Sequence, residues 1–198
     1  LGRIGDVLET LGRPQDRLPP IIHVAGTNGK GSTCAFLRAM AEAAGLRVHV
    51  FTSPHLVRFN ERIRLAGALV EDTALIDWLQ RTYDALEGRP ITHFEATTAA
   101  ALLAFSEVPA DLLILEVGLG GRFDATNVID TSALSVITPV DQDHKQFLGT
   151  DLGKIAWEKA GIIKPGKPVI TARQADVAAQ VIAEEALSKG APLHHLTS

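Results

Sequence analysis

Apolar positions along this chain follow two patterns, short continuous runs and runs spaced three or four residues apart. The continuous runs are typical of strands buried on both faces of a sheet, and the spaced runs of amphipathic helices. They predict strands over residues 21–25, 47–53, 111–116, 133–138, 168–171 and 192–196, and a small hairpin over 64–70. They predict helices over residues 1–12, 33–40, 72–86, 96–105, 151–160 and 175–187. Because strands alternate with helices, we expect an α/β fold with an open, mostly parallel sheet and flanking helices.

Composition limits the number of domains and the kinds of partner. A chain of 198 residues, with 46% hydrophobic and 21% charged residues, is long enough for one α/β domain with its own core. We therefore expect residues 1–198 to form a single domain. The formal net charge is −4, so no broad basic surface indicates binding to nucleic acid or to an anionic membrane. An anionic ligand would have to be held by a local site.

Three features predict a cytoplasmic protein. Cys34 is the only cysteine, which excludes an intramolecular disulfide and suits a reducing compartment. The longest apolar stretch, residues 99–105, is too short to cross a bilayer. No basic and apolar leader opens the chain.

A glycine-rich turn over residues 26–32 joins the first predicted strand to a helix, an arrangement that holds phosphates. Backbone N–H groups and the helix N-terminus attract the anion, Lys30 reaches the outer phosphates, and Ser32 or Thr33 offers a hydroxyl to magnesium. The match to the usual phosphate-loop pattern is imperfect, because Val24 replaces its first glycine and Gly31 separates the lysine from the serine. The alternative is a glycine-rich turn that carries a surface lysine.

Polar groups follow the other predicted strands at the same edge of the sheet. Glu116 ends a buried strand and precedes three glycines, where a nucleotide enzyme places a magnesium ligand. The alternative is a strand-end carboxylate that faces water. Residues 52–63 follow the second strand and suit a substrate loop, against the alternative of a solvated connection.

Three further groups have simpler explanations when each is taken alone. His144, with Asp141 or Asp143 beside it, could hold a metal, although a hydrogen-bonded loop histidine is commoner. Lys159 falls in the last turn of a helix, where the helix dipole favours a cation. His93 and Glu95, in the segment THFE at residues 92–95, could be functional, although helix capping is the commoner explanation of such a cluster.

Four segments together resemble one family, folylpolyglutamate synthase and its bifunctional dihydrofolate synthase form, in the Mur ligase superfamily. The segments are GTNGKGS from Gly26, SPHL from Ser53 with NERI from Asn60, LEVGLGGRFDATN from Leu115, and DH from Asp143 with WEKAG from Trp157. The similarity covers about residues 1–171. The GTNGK segment indicates the superfamily, and the SPHL and EVGLGGR segments indicate its folate branch.

The resemblance implies a phosphate-loop fold like the central domain of Mur ligases, and an ATP-dependent amide ligation. The γ-phosphate of ATP would pass to a carboxylate of a folate or of dihydropteroate, and the amine of L-glutamate would attack the acyl phosphate. A free carboxylate is a poor acylating agent because its leaving group would be oxide. Phosphorylation supplies a better leaving group, and it depends mainly on positioning and charge neutralisation.

The resemblance also implies roles for individual residues. Those expected to bind ATP are Asn28, Gly29, Lys30, Gly31, Ser32 and Thr33. Ser32 and Glu116 would hold one magnesium ion, and His144 a second, which Lys159 would also ligate if carbon dioxide carbamylates it. Catalysis is expected to depend on Lys30, His144 and Lys159. The residues expected to bind the pterin substrate are Ser53, Pro54, His55, Phe94 and Asp124.

Members of this family are about twice as long and hold glutamate in a second domain. The resemblance therefore implies that this chain is a truncated ATP-binding domain that lacks the glutamate-ligase domain. We expect it to bind nucleotide weakly and not to ligate glutamate alone. Its expected partners are small molecules, without nucleic acid or membrane, and we expect a monomer.

Three alternatives remain. A Mur-type ligase acting on a nucleotide-linked cell-wall precursor would need a uridine-binding domain before the phosphate loop, where only residues 1–25 lie. A nucleotide-binding module without chemistry is a second alternative. A dinucleotide oxidoreductase is disfavoured, because the glycines from Gly118 are not expected to open a helix.

Overall fold

One sheet organises the molecule, which a computed structural model describes for residues 1–142 and 151–196. Its strands in the described residues are β1 (Ile21–Ala25), β2 (Val48–Phe51), β3 (Ile63–Leu65), β4 (Ala68–Leu69), β5 (Leu112–Glu116), β6 (Leu134–Ile137), β7 (Val169–Thr171) and β8 (Leu193–His195). Their spatial order is β4-β3-β2-β5-β1-β6-β7-β8. The β2–β3 and β3–β4 pairs are antiparallel and the remaining pairs are parallel, which confirms the predicted open sheet and its small hairpin.

All the predicted helices are present, with shifted ends. They are α1 (Gly2–Thr10), α2 (Lys30–Ala43), α3 (Asp72–Asp84), α4 (His93–Glu107), α5 (Leu152–Ala160) and α6 (Asp176–Ser188). Short 3-10 turns cover Pro14–Arg17, Phe59–Arg62 and Ala125–Val128. Helix α4 begins where Thr92 and Glu95 form a reciprocal capping box, as the capping interpretation predicted. No helix among the described residues is long and apolar enough to span a membrane.

The two faces of the central strands pack against different helices. Leu113 and Leu115 belong to a core that includes residues of α1, α3 and α4. Ile114 belongs to a second core with Cys34 of α2. Because side chains alternate along a strand, Glu116 points to the α2 face of the sheet, like Ile114. A further cluster packs α5 and α6 against β6 and β7.

Candidate active site

Neighbouring strands bring Glu116 to the glycine-rich turn. Strand β5 pairs with β1, with Glu116 opposite Val24, so the carboxylate lies beside the turn that follows β1. A Cβ atom built on Gly31 would lie 3.9 Å from Glu116 Oε1. Ser32 and Glu116 line the same cavity of about 720 Å³. The structure thus places the two proposed magnesium ligands around one space, and their role as ligands stays a prediction.

The turn is fixed by the segment that follows β6. Gly26 has φ +146°, and a Cβ atom there would lie 1.8 Å from Thr138 Oγ1, so only glycine fits. The Pro139 carbonyl accepts hydrogen bonds from the N–H groups of Thr27 (3.0 Å) and Asn28 (3.3 Å). Those two N–H groups are therefore engaged within the protein. A role for Asn28 in ATP binding, which stays a prediction, would fall to its exposed side chain.

The start of α2 provides the remaining donors. The first N–H groups of a helix have no acceptor within it, which leaves those of Lys30, Gly31 and Ser32 to meet an anion. The N–H of Thr33 instead donates to the Gly29 carbonyl (2.9 Å). Lys30 Nζ donates to the Gly26 carbonyl oxygen at 3.1 Å, which holds the ammonium group at the turn. This geometry suits the outer phosphates of a nucleotide.

Glu116 is buried, and its environment suits a bound cation. Only 4% of the residue is exposed, and burial raises the pKa of its carboxyl, although the Ser53 N–H and the charge of Lys30 oppose that shift. Its Oε2 accepts a hydrogen bond from Ser53 N at 3.2 Å. A nearby Mg²⁺ ion would favour the ionised form. The described residues contain no cluster of three or more His, Cys, Asp or Glu ligands, so the donors here are one hydroxyl and one carboxylate. Both are oxygen donors of the kind that magnesium combines with phosphates and water.

Lys159 joins the site from the end of α5. It is 4% exposed, and its Nζ donates to the Gly26 carbonyl oxygen at 3.0 Å. Lys30 donates to the same oxygen, so the two ammonium groups lie near each other. His144 and Asp143 lie outside the described residues. The second metal site assigned to His144 and Lys159 therefore stays a prediction.

The predicted substrate loop is held in shape by Glu61. Its carboxylate accepts hydrogen bonds from the N–H groups of Leu56 (2.7 Å), Val57 (3.0 Å) and Arg58 (2.8 Å), which lower the pKa of Glu61. The loop presents Ser53 and Pro54 to the large cavity.

His55, the histidine of this loop, does not line the large cavity. His55 Nδ1 accepts a hydrogen bond from Arg62 Nε at 2.8 Å, and its ring lies 5.7 Å from that of Phe59. Substrate binding by Ser53, Pro54 and His55 stays a prediction.

Phe94 and Asp124 line a second cavity of about 350 Å³, together with Leu119 and Gly120. The Phe94 ring packs on the backbone of Gly118 so closely that a Cβ atom there would lie 2.4 Å from Phe94 Cζ. The absence of a side chain at Gly118 therefore makes room for the ring. Phe94 and Asp124 thus share one cavity, as the substrate assignment requires, and that assignment stays a prediction.

Asp124 is tied into the protein by its own hydrogen bonds. It is 6% exposed; its Oδ1 accepts from Thr126 N (3.0 Å) and Thr126 Oγ1 (2.5 Å), and its Oδ2 accepts from Leu119 N (2.9 Å). Burial raises its pKa, and these hydrogen bonds oppose the shift. Thr126 Oγ1 also lies 2.9 Å from His23 Nε2. Sequence reasoning missed His23 and Thr126, although a histidine inside an apolar run was a signal.

Comparisons with known proteins identify the relatives of this chain. No protein-family model matches it. The dihydrofolate synthase/folylpolyglutamate synthase of Bacillus subtilis is 46% identical over 204 residues, which cover 99% of this chain and 47% of that protein. An Escherichia coli structure, described as FolC in complex with DHPP and ADP, matches with a TM-score of 0.92 and 40% identity over 98% of this chain and 46% of that chain. A Mycobacterium tuberculosis folylpolyglutamate synthase complexed with ADP and AMPPCP matches with a TM-score of 0.90 and 35% identity, with the same coverage.

The chain belongs to the dihydrofolate synthase/folylpolyglutamate synthase family. The resemblance carried by the four sequence segments is thereby confirmed, and so is the α/β fold that it implied. The chain spans about half the length of the family members it matches. Among the residues that the family resemblance singled out, the structure gathers Lys30, Ser32, Ser53, Glu116 and Lys159 around the phosphate turn.

Proposed function

We propose that the protein containing this chain is an ATP-dependent ligase that adds L-glutamate to a folate, to dihydropteroate, or to both. Residues 1–198 would form its nucleotide-binding part. The observation that supports this most is the arrangement of Lys30, Ser32 and Glu116 around one cavity at the carboxyl edge of the sheet. Two solved relatives are described as complexes with ADP or AMPPCP.

The residues of the turn would bind and orient the triphosphate. The N–H groups that begin α2, with the ammonium of Lys30, would hold the phosphate oxygens. Ser32 and Glu116 would hold Mg²⁺, which neutralises charge on the phosphates when it is bound. The Ser53 N–H would keep the Glu116 carboxylate in place. Gly29, Gly31, Asn28 and Thr33 complete the predicted ATP contacts.

The proposed reaction has two steps. An oxygen of the substrate carboxylate forms a bond to the γ-phosphorus while the bond to ADP breaks. The amine of glutamate then forms a bond to the acyl carbon, phosphate leaves with the electrons of the C–O bond, and the amine loses a proton. The protein's contribution to the first step is positioning and charge neutralisation, since little covalent chemistry is required of it.

The pterin would bind in the smaller cavity. There, one face of the Phe94 ring could stack on the heterocycle, while Asp124 could accept hydrogen bonds from its N–H groups. Each oxygen of Asp124 already accepts a hydrogen bond within the protein, so the orientation of the carboxylate is fixed before the substrate binds. The expectation of a cytoplasmic monomer without nucleic acid or membrane partners belongs to the same proposal.

Carbamylation of Lys159 is part of the proposal. A neutral Nζ would attack carbon dioxide, form an N–C bond and release a proton, which replaces a cation beside Lys30 with an anionic oxygen ligand. Two lysines that share the Gly26 carbonyl support this, because the change removes their mutual repulsion. Carbon-13 NMR with labelled bicarbonate should show a carbamate signal that Lys159→Gln abolishes. A spectrum without that signal, with Mg²⁺ and ATP present, would count against the modification.

The ligase proposal is tested by assaying the protein that contains this chain with ATP, Mg²⁺, glutamate and either dihydropteroate or tetrahydrofolate. Mass spectrometry should detect the glutamylated product together with ADP. Ser32→Ala and Glu116→Gln should each lower kcat by a factor on the order of 100. Glu184→Gln, on an exposed carboxylate of α6, is the matched control and should leave kcat unchanged. Nucleotide binding without product would indicate a binding module instead.

A further inference from the structure

Two basic side chains of the large cavity are not used by the proposed chemistry. Arg38 of α2 and Arg64 of β3 both line it, together with Ser32 and Glu116. Arg64 pairs across the sheet with Val50, whose side chain belongs to the core shared with α2. Cross-strand partners share a face, so Arg64 points to the α2 side. The two guanidinium groups therefore line the same cavity as Ser32 and the carboxylate of Glu116.

The two arginines are poorly compensated within the described part of the chain. Arg64 Nη1 donates to the Gly67 carbonyl at 2.7 Å. Arg38 is half-buried, and no hydrogen bond or ion pair joins its guanidinium to another described residue. Burial and the charge of Arg38 lower the pKa of Arg64, while Glu42 opposes this shift. Two like charges that line one cavity, neither of them in an ion pair within the described residues, favour an anionic ligand.

The spacing places such a ligand near the reacting group but not at it. Arg38 is six positions after Ser32 in α2, which corresponds to about 9 Å along the helix axis. In the proposed reaction, the carboxylate that becomes phosphorylated must lie beside Ser32 and Glu116. A second anionic group of the same substrate, a few bonds away from the reacting carboxylate, could then meet the arginines.

Carboxylate number distinguishes the two candidate substrates. Dihydropteroate has one carboxylate, which is the group that reacts. A folate that already carries glutamate has the reacting γ-carboxylate and, in addition, one α-carboxylate for each glutamyl residue. We propose that Arg38 and Arg64 bind an α-carboxylate of the γ-glutamyl substrate and so favour acceptors that are already glutamylated. This inference rests on the proposed ligase function.

The test compares two acceptors in the same variants of the protein that contains this chain. Arg64→Gln, Arg38→Gln and the double variant should lower kcat/KM for tetrahydrofolate about 10- to 100-fold, mainly through KM, because charged hydrogen bonds are lost. The kcat/KM for dihydropteroate and the KM for ATP should stay within about twofold. Arg64→Lys should recover part of the loss, because it keeps the charge. Arg17→Gln is the control, since that guanidinium donates to Gly12 O and does not line the cavity.

Equal losses of kcat/KM with both acceptors would overturn the inference. A rise in the KM for ATP would also overturn it, because it would assign the arginines to a nucleotide phosphate. No ligation of either acceptor by the unchanged protein would defeat the proposed function instead. Calorimetric binding of folate diglutamate and pteroate, with ADP and Mg²⁺ present, then decides the inference without turnover. The unchanged protein should bind the diglutamate more tightly, and Arg64→Gln should remove that difference. Equal affinities in the unchanged protein would refute the proposal.

Discussion

His23, Thr126 and Asp124 form a buried chain of hydrogen bonds whose proton positions follow from their chemistry. The Thr126 hydroxyl has one proton, and at 2.5 Å from a carboxylate oxygen it donates that proton to Asp124. It must then accept from His23, so His23 carries its proton on Nε2. His23 Nδ1 is buried and has no hydrogen-bond partner among the described residues, which agrees with a neutral ring.

Replacing Thr126 by valine tests this chain of hydrogen bonds. The variant keeps the side-chain shape but removes a donor to Asp124 and an acceptor for His23, so both buried groups lose a partner. We expect the free energy of unfolding to fall by about 1–3 kcal/mol in urea denaturation. Thr131→Val, at an exposed threonine, should change it by less than about 0.5 kcal/mol. Equal stabilities for the two variants would contradict the hydrogen-bond assignment.

The pH dependence of stability tests the neutral state of His23. Burial, with a smaller contribution from the charge of Lys164, lowers the pKa of His23 to about 3, whereas an unfolded histidine titrates near 6.5. Between these values the unfolded chain binds the extra proton, so this group's contribution to stability rises with pH, by up to about 1.4 kcal/mol per unit. It is lost as pH falls from about 6.5 towards 3.

Burial raises the pKa values of Glu116 and Asp124, and their contribution to stability therefore falls as pH rises. The effect of His23 is isolated by comparing the unchanged chain with a variant that lacks this histidine. His23→Gln keeps a donor for Thr126 but does not titrate. Unfolding free energies of both proteins, measured from pH 4 to 7, should show a smaller rise with pH in the variant. Parallel curves would mean that His23 binds a proton as readily in the folded protein as in the unfolded chain.

At the scale of elements, Gly118 and Phe94 join the loop after β5 to helix α4. Gly118→Ala would place a Cβ atom 2.4 Å from Phe94 Cζ and force the ring to move. We expect the free energy of unfolding to fall by about 1–3 kcal/mol, and the KM of the protein that contains this chain for its proposed pterin substrate to rise. In a double-mutant cycle with Phe94→Ala, the two losses should not add, because the clash needs both side chains. Additive losses would show that the ring does not pack on Gly118.

Gly5→Ala is a control that should raise the free energy of unfolding, whereas Gly118→Ala should lower it. Gly5 lies inside α1 with nothing within 4 Å of an added Cβ atom. Alanine there should stabilise the chain by about 0.4–1 kcal/mol, because the substitution restricts the unfolded chain and suits a helix. Thermal unfolding in the same buffer separates the two glycine variants.

Local patterns predict elements better than they predict contacts between elements. The apolar run bounded by Pro20 and Gly26 gave β1 with the observed ends, because a buried strand needs only its own residues to be recognised. Helix α2 begins three residues before the predicted start, since Gly29, inside the glycine-rich turn, adopts φ +82° and the helix follows at once from Lys30. The Phe94 contact depends on the packing of α4 against the sheet, which no local pattern contains. The arginine pair was missed for the same reason, because Arg38 and Arg64 meet only through the sheet and α2.

At the scale of the whole molecule, strand order explains why distant segments form one site. Strands β2, β5, β1 and β6 are neighbours and parallel, so the segments after them emerge at one edge. Ligands of such sheets bind outside the carboxyl ends of the strands. The sequence alone placed Glu116 and the phosphate turn at that edge, because each follows a recognisable buried strand. It could not show that β1 and β5 are adjacent.

Nucleotide binding to this 198-residue chain tests directly whether the carboxyl edge of the sheet holds a triphosphate. Any ligand that binds the folded state raises stability by RT ln(1 + [L]/Kd), which is about 2.7 kcal/mol at 100 times Kd. Mg²⁺-ATP should therefore raise the unfolding temperature in a concentration-dependent way. Lys30→Met removes a cation that lies at the turn and forms no ion pair within the described residues, so it should weaken binding by at least about tenfold and reduce the shift at each concentration.

Lys154→Met is the matched control, because Lys154 is exposed in the first turn of α5. It should keep the full nucleotide-dependent shift, whereas both variants should unfold near the temperature of the unchanged chain when no ligand is present. Equal shifts in all three proteins would place the triphosphate away from the turn. That result would remove the reason for treating Ser32 and Glu116 as partners of one magnesium ion, since the phosphate oxygens that complete its coordination would be elsewhere.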